Sequence, residues 1–546
     1  MALSDGKVRT AGQAIVDGLI RNGVEIIFGI PGAHTYALFD ALYERRNEIR
    51  VVGARHEQGA AYMAFGYARA SGKPAVFTCV PGPGMLNTTA ALCTAYGANT
   101  PVLCLTGEIP LGEIGQGHGI LHELPDQLGT LRTLVKWAER IEHPSAAPRL
   151  VNEAFARMRS GRQGPVALEC PWDVLSVKAP VTPMPALAPD LPPEPDPALV
   201  DKAAAMIAEA KNPMITLGSG AMDAGAEVAA LAELLQCPVT SHRSGRGIVG
   251  DDAPLGMNFA ASYEPWLKSD VLIAVGTRME LQYLRWRKFP PDLKTVRIDI
   301  DPAEMPRRKV DVAIVSDAAT GVAALVAALR GKIGPRASRA AEFAAAKAAA
   351  RKKYEGVQPQ VAYLDVIREL LPRDGLFVEE ICQVGFAARF AFPVVAPRTY
   401  ISCGYQDNLG FGFQTALGVK LAHPGRPVVS ISGDGGFMYG VQELATAVQH
   451  DIAVVAIVFN NRGFGNVMRD QRINWGGRHI GDRLVNPDFS ALAGSFGALA
   501  ATVSSPEELR PALARALSAN GPALIEVLTE PGSEVSPWPF IHPWAH

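Results

Sequence analysis

Long apolar runs are missing from this chain of 546 residues. The longest, such as residues 452–459, has the length of a strand and falls far short of the ~20 residues that span a bilayer. A membrane role is therefore not expected. Charge of one sign is missing too: 52 basic and 54 acidic side chains leave a net charge of -2. With no basic stripe and no acidic tail, nucleic acid is not an expected partner. The seven cysteines are odd in number, scattered, and without C-x-x-C spacing. That argues against a disulfide framework or a zinc site, and a reducing, cytoplasmic location is the expectation. The polar first residues lack the apolar core of a secretory signal. No short-period repeat points to a solenoid.

What is present is a long, ordinary globular composition, 48% apolar and 19% charged. Such a length exceeds one hydrophobic core, so several domains are expected. Residues 25–30, 50–54, 75–80 and 101–106 read as buried strands, with helical patterns between them, as at 36–45. Strands alternating with helices predict a parallel sheet covered on both faces. Residues 179–197 are too proline-rich for a helix or a central strand and read as an extended linker. Strands at 214–218, 271–276 and 296–300 predict a second sheet. The Ala-rich stretch 335–355 reads as an exposed helix or second linker, and strands at 428–432, 453–459 and 523–527 a third sheet. The expected fold is α/β, three doubly wound parallel-sheet domains over residues 1–180, 195–335 and 355–546.

The strongest motif is Gly433-Asp434-Gly435, followed after 24 residues by Asn460-Asn461. Each half directly follows a predicted strand, where ligands gather in an open α/β sheet. The glycines allow close backbone approach and offer N–H donors to phosphate. The Asp434 carboxylate, the Asn461 amide oxygen and the Gly463 carbonyl form a hard oxygen set that suits Mg²⁺ sharing ligands with a diphosphate. Either half alone is ordinarily just a turn; the combination at this spacing is far more specific.

With these residues the chain resembles the thiamine-diphosphate enzymes, whose diphosphate motif has this form. The resemblance implies that Asp434, Asn461 and the Gly463 carbonyl ligate Mg²⁺, with Gly433, Gly435 and Gly436 beside the diphosphate. Arg55-His56-Glu57-Gln58-Gly59-Ala60-Ala61 follows a strand and opens a helix of small residues. Alone, Glu57 reads as a solvated first-turn carboxylate favoured by the helix dipole. The segment resembles acetolactate synthases, which implies that Glu57 bonds the pyrimidine ring of thiamine. Proton exchange there promotes the imino tautomer that removes the C2 proton, and the thiazolium stabilises the carbanion formed on a carbonyl substrate. Leu409 stands where the family places an apolar wedge under the bent cofactor. Segments 31–43, 81–92, 99–107 and 298–305 extend the likeness over nearly the whole chain. It implies pyrimidine-binding, middle and diphosphate-binding domains, in a homodimer or homotetramer with active sites at the subunit interface.

Within the family the branch is less plain. Gly32-Ala33-His34 and residues 133–140 resemble benzaldehyde lyase, and His122 stands where relatives carry a glutamine. His34 and His122 are candidates to relay protons to the substrate alkoxide, since imidazole titrates near neutrality. His118, a weaker candidate, lies one turn from His122 if that stretch is helical. Asn466 and Asp470 replace the methionine and tryptophan of acetolactate synthases. Arg132, Lys136 and Arg469 read first as solvated cations. Gly218-Ser219-Gly220 after a strand leaves FAD open as a middle-domain cofactor. The expected activity is an acetolactate synthase-like carboligase, decarboxylase or lyase acting on 2-oxoacids or 2-hydroxy ketones. The alternatives are an FAD-linked 2-oxoacid oxidase and a non-catalytic homologue.

Overall fold

A computed structural model describes residues 7–543. It holds three six-stranded sheets, every strand pair in them parallel. The first runs Arg50–Gly53, Ile26–Gly29, Ala75–Cys79, Val102–Glu108, Val166–Pro171, Trp137–Arg140 across the sheet. Numbered by chain position within the sheet, that order is 2-1-3-4-6-5. The third sheet repeats it with Tyr400–Ile401, Leu376–Val378, Val428–Gly433, Val455–Asn460, Ala523–Leu528 and Leu499–Val503. The middle sheet differs. Its order of Gly256–Met257, Val239–Ser241, Pro213–Leu217, Val271–Val275, Lys294–Asp299 and Val312–Val315 is 3-2-1-4-5-6, that of doubly wound nucleotide-binding sheets. Central strands such as VLIAV (Val271–Val275) and VAIVFN (Val455–Asn460) are buried throughout, because helices cover both faces.

The proline-rich stretch is not linker from its start. Lys178–Val181 pairs antiparallel with Lys7–Thr10, in register Lys7↔Val181. Pro180 is tolerated because this two-stranded ribbon has open edges. Residues 182–196 carry no regular structure, and Asp196 caps the next helix, Pro197–Ala208. The Ala-rich stretch resolves as the helix Ala340–Tyr354, which buries Phe343 and Tyr354.

One helix crossing sets the relation of the first and third sheets. Glu57–Ser71 packs along Gly412–Ala422. A Cβ on Gly66 would stand 2.1 Å from the Thr415 carbonyl oxygen, and one on Gly418 1.8 Å from that of Met63. The small residues of the first helix therefore serve backbone-to-backbone contact. No helix among the described residues is long and apolar enough to cross a membrane.

Candidate functional site

Strands Val428–Gly433 and Val455–Asn460 are neighbours in register Gly433↔Phe459, so the two motif loops leave the same sheet edge side by side. Asp434 opens the short helix Asp434–Phe437 and is buried. Its Oδ2 accepts from the Gly463 amide at 3.1 Å and from Asn486 Nδ2 at 2.7 Å. Burial pushes this carboxyl above its usual range, against the pull of those donors.

The two asparagines have different surroundings. Asn460 is fully used: Nδ2 donates to Glu526 at 2.7 Å, and Oδ1 accepts from Arg462 N at 3.1 Å and Asn486 Nδ2 at 2.9 Å. Asn461 Nδ2 donates to Glu534 at 2.8 Å, while its buried Oδ1 meets no donor. A buried acceptor left bare costs about 1–3 kcal/mol. A bare amide oxygen beside a desolvated carboxylate fits a hard divalent cation. The Gly463 carbonyl accepts from Gly465 N at 3.1 Å and keeps a second lone pair.

Gly436 has a reason the sequence did not reveal. A Cβ there would lie 2.0 Å from Glu380 Oε1 and 3.6 Å from Leu409 Cδ2. Fully buried Glu380 accepts from Gly410 N (2.9 Å), Gly412 N (2.8 Å) and Ser432 Oγ (2.9 Å). Burial pushes it up to about 7. One carboxylate thus ties half-buried Leu409 and its loop to the Gly433–Gly436 turn.

Glu57 is the first residue of its helix, whose cap, His56, accepts from Gln58 N at 3.2 Å. The half-buried Glu57 carboxylate accepts from Asn87 Nδ2 at 3.0 Å. Glu443, on the helix after the GDG turn, accepts from the Arg55 and His56 amides at 3.1 and 3.0 Å and so holds the Glu57 loop against the third unit. Among the described residues no hydrogen bond or ion pair joins Glu57 to Asp434, Asn461 or Gly463 within the chain. Asn87 lies in a segment quoted for its likeness, but only the fold reveals its partner.

His34 and His122 meet. Their rings are 5.3 Å apart between centroids, and Trp172 packs on His34 at 5.5 Å. Both have left-handed backbones (φ 73° and 68°), and both Nδ1 atoms are buried without a partner. Two such strained non-glycine residues facing each other mark a constrained site. Burial, then the neighbouring His122, hold His34 below the ordinary imidazole range. His118 is not one helical turn away. Its stretch is irregular, and its exposed ring bonds Glu113 at 2.7 Å.

Of the three cations read as solvated, Arg132 and Lys136 are exposed and Arg469 is half-buried. Lys136 donates to the carbonyls of Arg157 and Arg162 at 2.8 and 2.9 Å, and Arg132 pairs with Glu139 at 3.1 Å. Arg469 bonds Asn466 and lies 5.1 Å over the Trp538 ring; burial pushes it down to about 10. Asp470 accepts from Asn474 Nδ2 at 2.7 Å.

A cavity of about 600 Å³ opens where the middle sheet reverses its order, beside Gly218 and Gly276. This is the crevice where doubly wound sheets hold nucleotides, and the volume lies within the ligand-pocket range. Arg69, Arg162, Arg278, Arg308 and Arg398 line it. Arg69 has no ion pair among the described residues, and burial pushes it down to about 10.

Three family models match in sequence order. The N-terminal TPP binding domain of thiamine pyrophosphate enzymes covers residues 9–130, the central domain 200–325 and the C-terminal TPP binding domain 381–527. A probable acetolactate synthase large subunit of Methanocaldococcus jannaschii is 34% identical, the match spanning 95% of this chain and 92% of the relative. A probable 2-ketoarginine decarboxylase, AruI, of Pseudomonas aeruginosa is 34% identical over 95% of this chain and 94% of its own. Acetolactate synthase of Arthrospira platensis is 33% identical over 95% and 94%.

Proposed function

Because the chain belongs to the thiamine pyrophosphate enzyme family, in its acetolactate synthase-like group, we propose that it acts on 2-oxoacids or 2-hydroxy ketones. It makes or breaks the carbon–carbon bond beside the carbonyl, as a decarboxylase, carboligase or lyase. The observation that carries this is the bare Asn461 oxygen beside buried Asp434 at the common edge of two strands.

Asp434, Asn461 and the Gly463 carbonyl hold Mg²⁺ and, through it, the diphosphate, with Gly433, Gly435 and Gly436 alongside. Leu409 would pack against the coenzyme from the side of the Gly433–Gly436 turn. Bound thiamine diphosphate supplies a ring that takes up the electron pair left when the carbon–carbon bond breaks. Glu57 would hold the pyrimidine side of the coenzyme and supply a proton-exchanging carboxyl there, which Asn87 orients. His34, held neutral by burial, accepts a proton at the substrate oxygen, with His122 as its partner.

The domain limits we assign are 1–180, 195–335 and 355–546. Glu57 and the metal set of one chain share no bond, which fits sites completed by a second chain in a cytoplasmic homodimer or homotetramer. The cavity at the middle sheet's switch point, lined by arginines and by acids such as Glu304 and Asp299, suits a dinucleotide, FAD being the candidate. Relatives named for acetolactate synthesis and 2-ketoarginine decarboxylation point to a 2-oxoacid donor. Asn466 and Asp470 give the substrate entrance polar side chains where acetolactate synthases carry methionine and tryptophan.

Titration calorimetry with thiamine diphosphate and Mg²⁺ tests the assignment. Asp434→Ala is expected to abolish Mg²⁺-dependent binding, because a charged ligand is removed; tight binding by this variant would rule the metal role out. Glu57→Gln is expected to bind with near-normal affinity but exchange the coenzyme C2 proton at least ~10²-fold more slowly. Normal exchange would exclude Glu57. Products from a panel of 2-oxoacids, aldehydes and 2-hydroxy ketones, with and without FAD, then identify the reaction.

A further inference from the structure

Behind the two histidines lies a buried polar cluster with no part in the chemistry above. Gln127, 1% exposed, opens the helix Gln127–Leu134. Its Oε1 accepts from the Gly82 amide at 2.9 Å. Its Nε2 donates to the Gly107 carbonyl at 3.0 Å and to Glu169 Oε2 at 3.1 Å. Glu169, fully buried, takes Arg140 Nε at 2.6 Å on its other oxygen. The carboxylate and the guanidinium thus fix which end of the Gln127 amide faces Gly82 and which faces Gly107.

The Gly82 turn and the Gly107 end of strand Val102–Glu108 back the histidines directly. A Cβ on Gly82 would stand 2.4 Å from the His122 carbonyl oxygen, and one on Gly107 2.7 Å from that of His34. A Cβ at either place would clash, and the carbonyls it would meet belong to His34 and His122, both of which have left-handed backbones.

We propose that Gln127 is a positioning residue: by joining the Gly82 turn to Gly107 at the end of strand Val102–Glu108 through one oriented amide, it holds His34 and His122 in register for proton transfer. This rests on the reading of the histidines as proton carriers. The clamp itself is testable without that reading. In the holoenzyme, diethyl pyrocarbonate acylation of His34 and His122 is followed by peptide mass spectrometry. Turnover is followed on the best substrate of the panel.

Gln127→Met matches the size but breaks all three bonds. Acylation is expected to quicken about 10-fold or more at both rings, and kcat to fall about 10²-fold with KM nearly unchanged, the cost of misplacing reacting groups. Gln127→Glu separates positioning from bulk. Protonated, it can still accept from Gly82 and donate to the Gly107 carbonyl; ionised, it repels Glu169, with Glu108 and Asp126 adding to the repulsion and Arg140 opposing it. This variant should match the parent near about pH 5.5 and lose activity by about pH 8. Unchanged acylation in Gln127→Met, or turnover unchanged despite faster acylation, overturns the clamp. Full turnover in both His34→Ala and His122→Ala overturns the proton-carrier reading instead.

Discussion

Glu108 is a buried acid whose proton is set by its neighbours. It is 3% exposed and next to fully buried Glu169. Burial first, then Glu169, push it up to about 7. The folded chain therefore keeps a proton that the unfolded chain releases near its ordinary value of 4.5. Stability from this site is complete in acid and is lost as pH rises through that window. Glu108→Gln keeps the acceptor for the Ile109 amide, bonded at 2.7 Å, and offers Glu169 a permanent N–H. Thermal melts of this variant should show a flatter fall in Tm between about pH 5 and pH 7 than the parent. An unchanged slope would mean that another group titrates there. Asn461 makes the complementary point, since its free oxygen becomes visible only when Glu534 is seen to hold the amide nitrogen.

At the scale of elements, the helices Glu57–Ser71 and Gly412–Ala422 hold the first and third sheets of one chain together. Glu57 opens the first helix, and Leu409 lies just before the second. Their axes approach as closely as backbones allow, through Gly66 and Gly418. Gly418→Val would drive a side chain into the Met63 carbonyl, and overpacking of this kind costs about 1–3 kcal/mol or more. A lowered Tm and weakened coenzyme binding are expected. Gly425→Ala, at a position with nothing within 4 Å, serves as the neutral control. Equal melts for the two would remove the crossing from the account of stability. The small residues after Glu57 were legible as a helix, but their purpose was not, because composition does not say which backbone will lie alongside.

For the whole molecule, the two outer sheets share one strand order and the middle sheet has another. The first sheet carries Glu57 and the third carries Asp434. If sites form between chains, each needs Glu57 from one copy and Asp434 from the other. Mixing inactive Glu57→Gln with inactive Asp434→Ala should then restore about a quarter of parental activity. Half of randomly reassorted dimers are mixed, and each mixed dimer keeps one intact site of two. No recovery after verified subunit exchange would place both groups of a site in one chain.

Buried β-branched runs alternating with helices were enough to read a parallel α/β class, and the spacing of Asp434 and Asn461 to read two loops at one sheet edge. Both are local properties, carried by periodicity and by where each strand ends. Folding alone decided that Asn461 rather than Asn460 keeps a bare oxygen, that His34 meets His122, that Glu380 braces Leu409, and that residues 178–181 form a strand. Each depends on side chains far apart in the sequence being brought together by crossover order and helix packing. Local pattern does not encode that, because the same strand or turn can be set beside many different neighbours.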